Sequence, residues 1–226
     1  MYAAIDIETI ERPIPEAVLV AYEAKLKEKL SAQYKKQETI DQHVAEDLAA
    51  FKNRWKFTRG GCEIVCVGVG LWSGPKDTPH VSTFVDGGEA KIIQSALTWL
   101  SDNNPFKVFT YNGDAFDWPI LLAKAMQYDV NLTRKIVYKD TYDLIKYPFE
   151  RFQPKAVKFD ELCELCGVGA QMPTLKGIEP PYDGSKVALM VELDKADGGR
   201  RVADYCAWDV AKTCLFARKL MGVMGI

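Results

Sequence analysis

The run Cys62-Glu63-Ile64-Val65-Cys66-Val67-Gly68-Val69-Gly70-Leu71-Trp72 constrains the fold more than any other stretch of the chain. It is β-branched and apolar on both alternating faces, and such a strand hides both faces only at the centre of a covered sheet. Ser73 to Asp77 supplies turn residues, and His80 to Val85 returns as the next strand. With Ala3 to Thr9 as an earlier strand, the order predicts an antiparallel meander of three. Glu89 to Asn103 places Ile92, Ile93, Ala96, Leu97 and Leu100 on one helical face. Val108 to Tyr111 is a short apolar strand, and Trp118 to Tyr128 reads as a helix. Strand, helix, strand with short links predicts an α/β domain whose later strands run parallel through right-handed crossovers.

Between the first two strands lies a polar, helical segment, an insertion at about 13–58. Leu19, Tyr22, Leu26 and Leu30, then Ile40, Val44, Leu48, Phe51 and Trp55, recur at three- and four-residue spacing. This predicts a helical hairpin broken near Gln37 to Thr39, with Thr39 or Asp41 as cap. Its lysines are matched by acids: residues 1 to 60 hold ten Lys and Arg against ten Asp and Glu, which favours a solvated hairpin over a nucleic-acid arm. Further on, Lys135 to Asp140 is expected as a short strand leading into a helix near Tyr142 to Lys146, and Lys158 to Gly167 as a helix closed by glycine. Met172 to Lys186 is a long loop, and Val187 to Leu193 and Arg200 to Met221 are helical.

The 226 residues are 48% hydrophobic and 27% charged, enough for one globular domain with an insertion. No run is long and apolar enough for a membrane span, and acids at positions 6 and 8 break any secretory signal, so a cytoplasmic location is expected. The six cysteines sit mostly in apolar segments, as reduced core thiols do. Cys62-x3-Cys66 and Cys163-x2-Cys166 lie in periodic strand-like or helix-like stretches, which argues against a zinc site. A net charge of −2 neither announces nor excludes a nucleic-acid ligand.

Three acidic motifs carry the chemistry. In Ala3-Ala4-Ile5-Asp6-Ile7-Glu8-Thr9 strand alternation puts Asp6 and Glu8 on one face, about 7 Å apart, and Ile5 and Ile7 on the other. Two half-buried acids repel unless a cation sits between them, and oxygen donors on a strand suit Mg²⁺ or Mn²⁺. Alone, the pair also fits a solvated edge strand. Tyr111-Asn112-Gly113-Asp114-Ala115-Phe116-Asp117-Trp118-Pro119 ends a strand and opens a helix, the place where open α/β sheets bind ligands. Read singly, Asp117 is equally a helix cap and Asn112-Gly113 a plain turn. Tyr205-Cys206-Ala207-Trp208-Asp209 sets a phenol and a carboxylate one helical turn apart, as core packing also does.

In this order, D-I-E-T, N-x3-F-D and Y-x3-D resemble the three exonuclease motifs of the DEDD superfamily of 3′-5′ exonucleases, in its tyrosine-containing branch. Leu175-Lys176-Gly177, Asp183 to Val187, Tyr205-Cys206 and Asp209-Val210 with Thr213 are similar to the predicted exonucleases related to the proofreading domain of family-B DNA polymerases. The likeness covers residues 1 to 9 and about 61 to 220.

The resemblance implies a ribonuclease H-like fold: a mixed sheet, an antiparallel meander then parallel strands, flanked by helices and carrying the helical-hairpin insertion. It implies Asp6, Glu8, Asp117 and Asp209 as ligands of two divalent ions, Mg²⁺ or Mn²⁺, and Tyr205 as the group that orients the attacking water. Asn112 would meet the terminal nucleotide and Phe116 stack beside a base, although Phe116 also suits core packing. Thr9 would meet the terminal sugar, and Lys176 or Lys186 a phosphate. The substrate implied is the 3′ end of single-stranded DNA, with RNA or a non-catalytic binding module as alternatives and a separate polymerase or repair protein as partner. Asp114, Asp140 and Asp143 are acids close to the motifs; the motif spacing favours Asp117 over Asp114, and Asp143 is expected to support the site from behind.

Overall fold

Apolar side chains on both faces of Cys62–Trp72 make it an inner strand of the sheet. In the computed structural model, which describes residues 1–55, 58, 60–131, 141–146 and 158–224, the strands β1 (Tyr2–Glu11), β2 (Cys62–Trp72), β3 (His80–Phe84), β4 (Lys107–Thr110) and β5 (Thr141–Asp143) lie in the order β3-β2-β1-β4-β5. β2 and β3 pair antiparallel, whereas β1 with β4 and β4 with β5 pair parallel. The sheet is mixed, as expected. Among the described residues the helices of this part of the chain are α3 (Glu89–Asn103), α4 (Asp117–Gln127), α5 (Phe159–Leu165), α6 (Val187–Asp197) and α7 (Arg201–Met224), the labels α1 and α2 being kept for the hairpin.

The chain divides into two compact units, residues 1–10 with 64–226 and residues 11–63. In the first, α7 packs on β3 and β4 and against α6. Two glycines let it lie close to the sheet. A Cβ at Gly68 would stand 2.6 Å from Val210 Cγ2 and 2.8 Å from Cys206 Sγ, and one at Gly70 would stand 2.4 Å from Cys214 Sγ. A core of Ala4, Trp72, Phe109, Leu144, Val210, Cys214 and Phe216 fills that layer, and a second group around Cys66, Tyr182, Val187, Met190, Val202 and Cys206 continues it. Elsewhere in this unit, α3 packs on α4 and β3. The buried Glu89 there accepts from the Ile64 amide at 2.8 Å, and Lys124 pairs with it at 2.9 Å. Paired and hydrogen-bonded in this way, a buried charge is tolerated.

In the second unit, α1 (Glu16–Gln33) and α2 (Gln37–Trp55) pack through Leu26, Leu30, Ile40 and Val44, with Tyr22 stacked on Phe51 at 4.0 Å. At its base the Arg12 amide donates to the Gly61 carbonyl at 2.8 Å, and Arg12 pairs with Glu63 at 3.2 Å.

Two local expectations are corrected. The hairpin breaks at residues 34–36, where Tyr34 turns extended, so Thr39 and Asp41 lie inside α2 and cap nothing. The Gln37 amide group reaching Asp41 at 2.8 Å marks that first turn. Tyr142 to Lys146 is not a helix: Thr141–Asp143 is β5 and a turn follows, because Val108, Phe109 and Thr110 offer a parallel edge to pair with. The strand expected at Lys135 to Asp140, and Asp140 itself, lie outside the described residues. Within the loop from Met172 to Lys186, Leu175, Ile178 and Tyr182 are buried and a short 3₁₀ turn spans Gly184–Lys186.

Candidate active site

Three elements converge at the carboxyl ends of β1 and β4. The parallel ladder between them runs from Tyr2 and Lys107 to Ala4 and Phe109. Past its end, the Ile7 amide donates not to a carbonyl but to Asp117 Oδ1, at 3.1 Å. That bond fixes the first residue of α4 against β1, the strand that carries Asp6 and Glu8. The strand order departs in opposite directions on either side of β1, the crevice where α/β sheets place ligands. α7, drawn in over Gly68, adds Tyr205 and Asp209.

Glu8 is 6% and Asp117 5% exposed, so charge here is costly. Burial pushes the Asp6 carboxyl well above the usual carboxylate range, and the charges of Asp117, Asp209 and Cys66 push the same way, while a hydrogen bond with Glu8 works against them. Glu8 is raised by burial, then by Asp6, Asp209, Cys66 and Asp117. Burial lifts Asp117 to about 7 in spite of the Ile7 amide. Asp209 is raised by burial too, although the Lys212 ammonium, 2.6 Å from its Oδ1, and the Tyr205 hydroxyl favour its charge. Burial and the charges of Asp209, Glu8 and Asp6 keep the Tyr205 phenol protonated, its hydroxyl donating to Asp209. Four acids from three separate segments therefore feel one another.

Cys206 is a neighbour that its apolar context in the sequence did not reveal. Its sulfur lies with the carboxyls of Asp6 and Glu8 in a group whose ligand atoms are all within 4.8 Å of one another. A hydrogen bond with Cys66 and burial raise the Cys206 thiol well above its ordinary value, with the charges of Cys66, Asp6 and Glu8 adding to them. A protonated thiol is a poor ligand. The donors that remain are carboxylate oxygens, and these fit a hard divalent ion such as Mg²⁺ or Mn²⁺ rather than zinc.

Asp143 supports the second motif from below. Fully buried at the end of β5, its Oδ1 accepts from the amides of Asn112 at 2.8 Å and Ile145 at 3.1 Å, and its Oδ2 from the amide of Asp114 at 3.3 Å. Asn112, held at φ +61°, is exposed. Asp114 is tied to Thr141 at 2.9 Å and Lys146 at 3.0 Å, which leaves Asp117 as the acid turned to β1. Thr9 and Phe116 are half-buried, one residue beyond Glu8 and one before Asp117. Lys176 is not part of this group. It lines a separate hollow with Thr174, Asp197, Arg200, Arg201 and Asp204, and its carbonyl accepts from Arg201. The Lys186 ammonium is bonded to the Glu179 carbonyl.

Residues 62–225 match the family described as predicted 3′-5′ exonucleases related to the exonuclease domain of PolB, and the chain belongs to that family. The matched stretch contains Asn112 to Asp117 and Tyr205 to Asp209 and begins beyond Asp6 and Glu8. Among solved structures the chain is similar to the family B DNA polymerase from the hyperthermophilic archaeon Pyrobaculum calidifontis, with a TM-score of 0.57 at 18% identity over 97% of this chain. It spans 24% of that polymerase chain, and the likeness is one of fold: a ribonuclease H-like α/β sheet. No curated protein matches the chain.

Proposed function

We propose that the chain is a metal-dependent 3′-5′ exonuclease that hydrolyses the terminal phosphodiester bond of single-stranded DNA and releases 5′-mononucleotides. The observation that carries this reading is the gathering of Asp6, Glu8, Asp117 and Asp209, each raised in pKa by burial and two of them by the charges of their fellow acids as well. When bound, two Mg²⁺ or Mn²⁺ ions supply the Lewis acidity and the lowered water pKa that this hydrolysis needs. Asp6, Glu8, Asp117 and Asp209 would hold them. Tyr205, kept protonated, orients water by hydrogen bonding and does not take its proton. Asn112 and Phe116 flank the acids on the Asp143-supported loop, where a terminal nucleotide can be held and stacked. Thr9, the residue after Glu8 on β1, would meet the terminal sugar.

The test is a 3′-end assay on labelled single-stranded DNA with Mg²⁺ or Mn²⁺, comparing the parent with Asp6→Ala. Loss of stepwise shortening in the variant supports the reading; equal shortening by both removes it. Matched DNA and RNA oligomers in the same assay assign the sugar.

A further inference from the structure

Lys212 is a buried charge with two claimants. Its ammonium lies 2.6 Å from Asp209 Oδ1, one helical turn earlier on α7, and 2.5 Å from Asp160 Oδ1 in the first turn of α5. It is seated 3.5 Å from the centroid of the Trp208 ring and 5.8 Å from that of Phe159, so the rings hold it in place beside both carboxylates. The two acids differ in setting: the Asp209 side chain is 20% exposed and that of Asp160 58%. The function proposed above assigns Asp209 to a divalent ion, and an ammonium 2.6 Å from its Oδ1 already holds that carboxylate.

We propose that Lys212 is an internal competitor for the metal at Asp209, which releases Asp209 and keeps its pair with Asp160 when a divalent ion binds. This rests on the function proposed above. A single positive charge beside four acids is half of what a divalent ion brings, so the ammonium steadies the metal-free cluster and yields to the ion. Asp160 is the acceptor that lets the ammonium yield without being left buried and unpaired, which would be strongly unfavourable. Lys212 is thus a positioning residue, and its effect on metal affinity has a sign opposite to that of a mere strut. Removing a strut disorders Asp209 and weakens binding, whereas removing a competitor strengthens it.

The experiment is a Mn²⁺ titration of the full chain without nucleic acid, read by the electron paramagnetic resonance of the free ion. Lys212→Met is expected to bind Mn²⁺ about tenfold more tightly than the parent, since an unscreened like charge within a few ångströms of the ion has gone. Asp160→Asn is expected to bind more weakly, because Lys212 then has only Asp209, and Lys212→Arg, which keeps the charge, stays near the parent. In the double variant the Asp160→Asn effect disappears. Asp160 is exposed enough for Asp160→Asn to fold normally, so the weakening is read even where Lys212→Met fails to fold. Weaker or unchanged binding by a folded Lys212→Met overturns the proposal, as does unchanged or tighter binding by Asp160→Asn. A parent that binds no Mn²⁺ overturns both this proposal and the nuclease reading, whereas a parent that binds and variants that do not shift overturn this one alone.

Discussion

The side chains of Tyr205 and Asp209 are hydrogen-bonded to each other, yet their loss should differ in degree. Tyr205→Phe removes one hydrogen bond to a charged partner, roughly 1.5–3 kcal/mol, and is expected to slow DNA shortening about 10- to 100-fold. Asp209→Asn removes a proposed metal ligand and should slow it more, a ranking read directly from single-turnover rates. Asp143→Ala leaves the Asn112, Asp114 and Ile145 amides without their acceptor, and should raise the KM for a single strand more than it lowers binding of Mn²⁺. The acids and Tyr205 were legible in the sequence because each sits in a motif of fixed internal spacing. Lys212 was not: an acid followed three residues later by a lysine is ordinary on a solvated helix, and only the packing of Trp208 and Phe159 shows that this ammonium is buried. Cys206 escaped for the same reason, since an apolar setting marks a core thiol without saying what the other side of the core holds.

At the scale of elements, the close approach of α7 to β2 is the vulnerable joint. Gly68→Ala would drive a methyl to within 2.8 Å of both Val210 and Cys206, an overpacking that costs about 1–3 kcal/mol. Thermal melting should show the lower Tm, and activity should fall beyond what stability explains, because Asp209 rides on the displaced helix. The inner strand β2 and the helix α3 were readable to the residue, as an eleven-residue apolar run and a fifteen-residue amphipathic face leave little choice. β5 was not. Three residues carry no period of their own, and Thr141–Asp143 is a strand only because the edge of β4 is there to receive it. The hairpin break was misplaced for a related reason: Gln37 to Asp41 has polar residues that suit a cap and equally suit a first turn.

The whole molecule should show the acid cluster in its response to pH. A carboxyl whose pKa is higher folded than unfolded stabilises the fold below its unfolded pKa and loses that contribution as pH rises through the folded value. For Asp117 the window runs from 3.8 to about 7, and Asp6, Glu8 and Asp209 shift in the same direction. Without metal the Tm should therefore decline across that window, Asp117→Asn should flatten part of the decline, and added Mn²⁺ should reverse it. Replacing residues 13–60 by a short turn should leave the 64–226 unit cooperative in its melt, as residues 11–63 form a compact unit of their own. The Ile7 amide adds a spectroscopic handle. Donating to Asp117 in place of a strand carbonyl, it makes one ¹⁵N–¹H cross-peak into a meter of what that carboxyl holds, so loading of the centre can be followed in solution with no label on the nucleic acid.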